Sequence, residues 1–305
     1  MTVVAVVGPT ATGKSALSLA LAEALGGEVV NADSMQLYRG LDIGTAKLTV
    51  EERRGVPHHV LDIWPVTAPA SVAAYQRLAR AAIDDILARG RVPLLVGGSG
   101  LYIRAVLEEF DFPGTDPALR AELEAELAAV GPGALHERLR AHDPDAAARI
   151  LPSNGRRIVR ALEVVTLTGR PFAAALPSEP VPFYPSVQIG VDRDPPALDD
   201  RVAERVSAMW SAGLVAETER LVAEGLRAGR TASRALGYQQ VLAFLDGSLT
   251  ESEAFEETVR ATRRFVRRQR SWFRRDPRIR WLDGADPSLV ATALRAVHAE
   301  RAGAP

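Results

Sequence analysis

The stretch Gly8-Pro9-Thr10-Ala11-Thr12-Gly13-Lys14-Ser15 follows directly on five apolar residues, Val3 to Val7. Its spacing is G-x-x-x-x-G-K-S, a phosphate-binding loop (P-loop). The glycines let backbone N–H groups wrap phosphate oxygens, Lys14 adds a positive charge, and the Ser15 hydroxyl can ligate Mg²⁺. Such a loop links a buried strand to a helix N-terminus, so Val3–Val7 is predicted as a strand and Lys14–Leu25 as a helix. It binds a di- or triphosphate, with ATP as the default occupant.

Glu28–Asn31 and Val92–Val96 read as further buried strands, and Ser71–Arg89 as a helix between them. Strands alternating with helices imply a parallel sheet whose site lies at the carboxyl ends of the strands. The predicted class is α/β, a P-loop NTPase-like parallel sheet flanked by helices, with Val187–Val191 and Ile279–Leu282 as candidate later strands. From about Asp116 to Leu176, Pro and Gly punctuate short helical stretches and strand-like runs are missing. This reads as a mainly helical insertion, bounded by Phe112-Pro113-Gly114 and by the Pro-rich stretch Pro177–Pro185. The expected divisions are 1–115 and 181–305 for the two parts of the α/β core, with 116–180 as the insertion. Pro195–Gly225 and Glu251–Arg275 are predicted as long helices.

With 305 residues, 47% hydrophobic and 25% charged, the composition is that of an ordinary globular protein. No apolar run approaches the roughly 20 residues of a membrane span, and the N-terminus has no secretory pattern. Zero cysteines exclude disulfides, thiolate catalysis and zinc–thiolate sites. A cytoplasmic enzyme without a membrane partner is expected. Net charge is −1, yet Arg260–Arg280 holds ten arginines and one acid, Asp276. That bias is a footprint for a polyanion, and a solvated helix face is its alternative. His58-His59 cannot both face one site on a strand, so a structural use is expected. Phe265, Trp272 and Phe273, seven and eight residues apart, are expected on one helical face and in the core rather than stacked on bases.

Val92–Val96 runs into Gly-Gly-Ser with no carboxylate, so the acidic Mg²⁺ station of a phosphate-hydrolysing enzyme is missing there. The acid stands instead in NADSMQLYRGLDIGTAK (Asn31–Lys47), where Asp33, Ser34 and Gln36 fall at the sheet's carboxyl edge. Asp33 can take a proton and Gln36 can pair with an adenine edge. An Asx-turn is the plain structural use of such an Asp. A small-molecule or nucleotide kinase, and a P-loop RNA-binding protein without catalysis, stay open on these residues.

Seven segments in order resemble the tRNA dimethylallyltransferase (IPP transferase) family: GPTATGKS, NADSMQLYRGLDIGTAK, PHHVLDIWP, LLVGGSGLYIRAVLEEF, RRIVRALEV, RALGYQQ and ATRRFVRRQRSWFRR. The resemblance spans nearly the whole chain. It implies transfer of a dimethylallyl group from dimethylallyl diphosphate to N6 of the adenosine 3′ to the tRNA anticodon, with Mg²⁺ at Ser15. Gly8, Pro9, Thr10, Ala11, Thr12, Gly13, Lys14, Ser15 and Arg205 would then hold the diphosphate, with Asp33, Thr10 and Lys14 catalytic. Implied contacts with the anticodon stem-loop are Asp33, Ser34, Met35, Gln36, Ser99, Arg120, Arg156, Arg157, Ile158, Val159, Arg160, Arg234, Gly237 and Tyr238. A monomer is expected. Prenylation of a free adenine nucleotide is the alternative within this chemistry, and the insertion with the arginine cluster favours the macromolecular substrate.

Overall fold

The computed structural model describes residues 2–109, 112–172 and 181–303. Its strands are β1 (Val3–Val7), β2 (Gly27–Asn31), β3 (His58–His59), β4 (Val92–Gly97), β5 (Ser186–Asp192) and β6 (Ile279–Asp283). They form one sheet in the order β3-β2-β4-β1-β5-β6, parallel throughout. The helices among the described residues are α1 (Lys14–Leu25), α2 (Val72–Ala88), α3 (Gly100–Leu107), α4 (Pro117–His142), α5 (Pro144–Arg149), α6 (Gly155–Thr168), α7 (Pro195–Ser211), α8 (Leu214–Ala223), α9 (Tyr238–Leu245), α10 (Glu251–Phe273) and α11 (Leu289–Gly303).

A parallel strand covered on both faces has no polar side, and β1 is accordingly VVAVV, buried throughout. Val4 and Val6 pack with α1 and α11, whereas Val3, Ala5 and Val7 pack with α2, α3 and Phe273 of α10. β1 has β4 on one side and β5 on the other, and the crossovers from this centre run outward in both directions. The P-loop therefore sits at the switch point of the sheet, where α/β folds bind ligands. Behind it, Tyr38, Leu41, Met209, Leu214, Leu221 and Tyr238 form a separate core that holds the 33–47 segment against α7–α9.

The expected single helix over Pro195–Gly225 is two. Gly213, at φ 97, takes a left-handed conformation that ends α7 and starts α8. His58-His59 forms the edge strand. His59 Nε2 lies 2.7 Å from the buried Glu28 carboxylate and His58 Nδ1 2.8 Å from the Val56 carbonyl, which are structural uses.

The chain divides into two compact units, Met1–Leu107 with Phe183–Pro305, and Glu108–Pro182. The second is wider than 116–180 because an antiparallel bridge, Glu108 to Pro182, ties its entering and leaving chain together. Its described elements are helical. Leu123, Leu135, Leu139, Ile158 and Leu162 make its core, and α4 breaks at Gly131 (φ 80) before Pro132. Leu176 and most of the Pro-rich boundary, from Pro177 to Pro180, lie outside the described residues.

Candidate active site

The P-loop is held open from several sides. A Cβ on Gly8 would fall 2.3 Å from the Val191 carbonyl oxygen, so only glycine lets the loop cross the end of β5. Ala11 is left-handed (φ 65), and its methyl packs against Leu198 and Val202 of α7 and Val266 of α10. The Thr12 hydroxyl donates to the Pro9 carbonyl at 3.0 Å and its side chain is buried, so Thr12 offers a ligand only its backbone. Lys14 Nζ donates to the same carbonyl at 2.5 Å.

Asp33 stands at the carboxyl end of β2. The Asx-turn exists: Oδ1 accepts the Met35 N–H at 2.9 Å, while Asn31 clamps the Asp33 amide and carbonyl at 2.9 and 3.0 Å. Oδ2 has no hydrogen-bond partner among the described residues, so the turn orients the carboxylate and leaves one oxygen free. That carboxylate is within electrostatic reach of Lys14 and Arg205. Burial first, then Arg205, push Lys14 down to about 7, against a smaller upward pull from Asp33. Arg205 is held below its ordinary value by burial, with Asp33 opposing and Arg201 adding. Two cations and one carboxylate thus converge on the P-loop.

The neighbouring loop is set by buried polar groups. Gln36 Nε2 and Arg205 Nη2 both donate to the Thr45 carbonyl, each at 3.2 Å. The buried Glu217 carboxylate accepts the Ile43 N–H at 3.0 Å and the Tyr238 hydroxyl at 2.5 Å, while that hydroxyl accepts the Gly44 N–H at 3.1 Å. Burial, then Glu217, drive the Tyr238 hydroxyl far above its ordinary pKa. Tyr238 is therefore an interior support, not a side chain facing RNA, and Gly237 beside it is buried too. Met35 packs on the same helical core. Ser99 Oγ accepts the Ser34 N–H at 3.2 Å, joining the β4 loop to the Asp33 turn.

Sequence reading missed three residues that grip the P-loop backbone. Arg201 donates to the Ala11 carbonyl at 2.9 Å and Arg193 to the Thr12 carbonyl at 3.2 Å. Gln269 of α10 accepts the Thr10 N–H at 3.0 Å. Only the uncharged Gln269 amid arginines, three residues from Val266 and four from Phe273 on the packed side of α10, offered a signal.

Among the described residues, neither strand beside β1 offers a free second acid at this edge. β4 ends in glycine, and Asp192 at the end of β5 is fully engaged. Its Oδ1 accepts the Arg193 N–H, and Oδ2 accepts Arg270 and Arg274, all at 2.9 Å. The arginine run is similarly consumed. Arg260 and Arg264 pair with Glu257, Arg263 and Arg267 with Asp199, Arg278 with Asp276 and Arg280 with Glu300. Arg268 and Arg275 have no ion-pair partner among the described residues. The three aromatics do not share the core: Phe273 is 4% exposed, Phe265 half-buried and Trp272 43% exposed. Neighbours on a helix are about 100° apart, so residues 272 and 273 straddle the boundary of the packed face.

In the helical unit, Arg156 and Arg157 are exposed in the first turn of α6, which Asn154 caps. Ile158 and Val159 point into that unit's core and do not offer side chains to a partner. Arg120 and Arg160 bond the fully buried Glu163, Arg160 at 2.7 Å. Burial would raise the Glu163 carboxyl, but these two guanidiniums outweigh it and hold it low. Arg234 is exposed on the turn Ala232–Arg234.

Among the described residues no group of three or more His, Cys, Asp or Glu could hold a metal ion, and no helix is long and apolar enough to cross a membrane. The Ser15 hydroxyl, exposed in the first turn of α1, makes no hydrogen bond among the described residues. That suits Mg²⁺, which keeps several waters and binds through one or two protein oxygens plus substrate phosphates.

The family model for IPP transferase matches residues 36–276. Proteins named tRNA dimethylallyltransferase are 78% identical in Salinispora arenicola, over 98% of this chain and 87% of that one, and 68% identical in Streptomyces avermitilis, over 94% and 92%. Among solved structures, the tRNA isopentenylpyrophosphate transferase of Bacillus halodurans is similar at TM-score 0.72 and 42% identity, over 99% of this chain and 96% of that one. A eukaryotic dimethylallyltransferase acting on tRNA is similar at TM-score 0.82 and 26% identity, over 97% and 77%. Matched over most of its length by the family model and 78% identical to such a relative over 98% of its residues, the chain belongs to the IPP transferase family.

Proposed function

We propose that this protein transfers the dimethylallyl group of dimethylallyl diphosphate to N6 of the adenosine 3′-adjacent to the anticodon (position 37) of tRNAs, working in the cytoplasm as a monomer. One observation carries the reading: Lys14 and Arg205 converge on the P-loop together with a carboxylate, Asp33, that keeps one oxygen free. The bond from allyl C1 to the diphosphate oxygen breaks and diphosphate departs toward the P-loop amides, Lys14 and Arg205. The N6 lone pair forms the new C–N bond, and Asp33 Oδ2 receives the N6 proton. The same fixed donors that hold the diphosphate stabilise the charge developing on it. Mg²⁺, held by Ser15 with the diphosphate oxygens, would supply further neutralisation of that charge. The base must leave its stack to reach such a site, so the adenosine is flipped out. Exposed Arg156, Arg157 and Arg234 are suited to RNA phosphates.

Incubation with radiolabelled dimethylallyl diphosphate, Mg²⁺ and bulk tRNA, with AMP and ATP in parallel, should label tRNA alone. Label in AMP alone would overturn the proposal. Because Asp192 is spent on two arginines and β4 carries no carboxylate, ATP hydrolysis should be negligible. Multiple-turnover ATPase activity stimulated by tRNA would count against this use of the loop.

The unpaired arginines make a second expectation. Arg268 and Trp272 lie one turn apart on α10 and Arg275 two residues past its end. All three are exposed, neither arginine has an ion-pair partner among the described residues, and Arg268 lies over the Phe265 ring at 5.7 Å. If both arginines meet phosphates, Arg268→Ala/Arg275→Ala should flatten the dependence of log K on log salt by about 0.7–0.9 per lost contact. Inorganic diphosphate binding should not change. An unchanged salt slope would return this face to a solvated role.

A further inference from the structure

Gln269 is 6% exposed, in a helix otherwise lined there by arginines. A buried amide has to find partners for both its ends, and this one finds them on opposite walls of the site. Its Oε1 accepts the Thr10 N–H at 3.0 Å, and its Nε2 donates to the Gly98 carbonyl at 2.9 Å. Thr10 belongs to the P-loop. Gly98 precedes Ser99, whose hydroxyl accepts the Ser34 N–H beside Asp33. A Cβ on Gly98 would fall 2.3 Å from Gln269 Nε2 and 3.3 Å from the Gly8 carbonyl oxygen, so the amide can lie here only against a glycine. The clamp turns the Thr10 amide toward α10, while the Thr10 hydroxyl makes no hydrogen bond among the described residues. Val266, one turn earlier, packs on the Ala11 methyl, and Phe273, one turn later, enters the sheet core, so α10 cannot slide beneath the clamp.

We propose that Gln269 is a positioning residue: it sets the spacing between the P-loop at Thr10 and the Gly98–Ser99 wall that carries the Asp33 turn, and so aligns the diphosphate ester with the base that receives the proton. This rests on the transfer reaction proposed above. The residue acts through Thr10 and Gly98 and touches no reacting atom. Its loss therefore lowers the rate of the chemical step and leaves tRNA affinity alone. Misplacement of about 1 Å in a reacting geometry costs up to about 10²-fold.

The test is single-turnover transfer to tRNA, with separate tRNA binding titrations and melting curves on each variant. Gln269→Ala should transfer about 10- to 100-fold more slowly than the unaltered protein, with tRNA Kd unchanged. Gln269→Met fills the same space without hydrogen bonds and should be no faster than Gln269→Ala. Rescue by Met would reduce Gln269 to a filler and overturn the proposal. Gly98→Ala should slow the intact protein comparably, yet add less in the Gln269→Ala background, where its methyl meets only the Gly8 carbonyl at 3.3 Å and no amide. Effects that simply multiply would also overturn it. If truncation prevents folding, Gln269→Glu carries the test. It keeps the acceptor for Thr10, sets a carboxylate oxygen against the Gly98 carbonyl, and should show the same loss, near-normal transfer counting against the clamp. Absence of transfer by the unaltered protein would instead count against the proposed reaction.

Discussion

Asp33→Asn should slow single-turnover transfer by about 10²–10⁴-fold, the usual worth of a positioned general base. The substitution isolates the proton because it preserves the rest. An Asn carbonyl in place of Oδ1 still accepts the Met35 N–H that now lies 2.9 Å away, and the Asn31 clamp on the Asp33 backbone is untouched. Only the free oxygen changes, from a basic acceptor to an amide nitrogen. The charge effect runs the other way. Removing this carboxylate near Lys14 and Arg205 leaves more positive potential for a diphosphate, so inorganic diphosphate should bind as well as before or tighter. Slow transfer with undiminished diphosphate affinity is the expected pair of results. Near-normal transfer would mean that water or a phosphate oxygen takes the proton and that Asp33 only shapes the turn.

Lys14→Ala should lose in both measurements, with kcat/KM for dimethylallyl diphosphate down by about 10²–10³-fold, the scale set by removing one charge-stabilising donor. Its ammonium meets the diphosphate before and during bond breaking, so binding and rate fall together. A pH signature accompanies it. In the unliganded protein Lys14 is pushed down to about 7 by burial and Arg205. Above that pH it is mostly neutral, and a diphosphate dianion or trianion beside it draws the proton back. Calorimetry in buffers of different ionisation enthalpy should therefore detect proton uptake on diphosphate binding near pH 8 that Lys14→Met lacks. That difference should vanish near pH 5, where Lys14 is already charged. Affinity should weaken as pH rises through 7 because binding then includes recharging the lysine. The same shift makes stability depend on pH with a fixed sign. The folded chain releases this proton before the unfolded one does, so between about 7 and 10.5 Lys14 makes folding more favourable as pH rises. Equal proton uptake in both proteins would remove Lys14 from the binding event.

Legible in the sequence were the P-loop, the strand that feeds it, five of the six strands among the described residues, helices α1, α2 and α10, and the placement of Asp33 at the end of β2. These are local properties. A G-x-x-x-x-G-K-S spacing dictates backbone geometry over eight residues, and an apolar run such as VVAVV is legible as a strand covered on both faces. The break at Gly213 was not legible, and Pro195–Gly225 read as one helix. Which side chains surround that loop follows from the packing of distant elements. Gln269 reaches Thr10 across 259 positions, Arg201 reaches Ala11 across 190 and Arg193 reaches Thr12 across 181. Ten arginines in one run look alike in sequence, yet Asp192 and Asp199, from β5 and α7, neutralise four of them, whereas Arg268 and Arg275 have no ion-pair partner among the described residues. Tyr238 stands in a motif suggestive of RNA contact, and its burial follows from the Glu217 carboxylate arriving from α8. Periodicity fixes which face of an element is apolar. Hydrogen-bond and ion-pair partners depend on the distance and register at which two elements meet, and no local pattern encodes those.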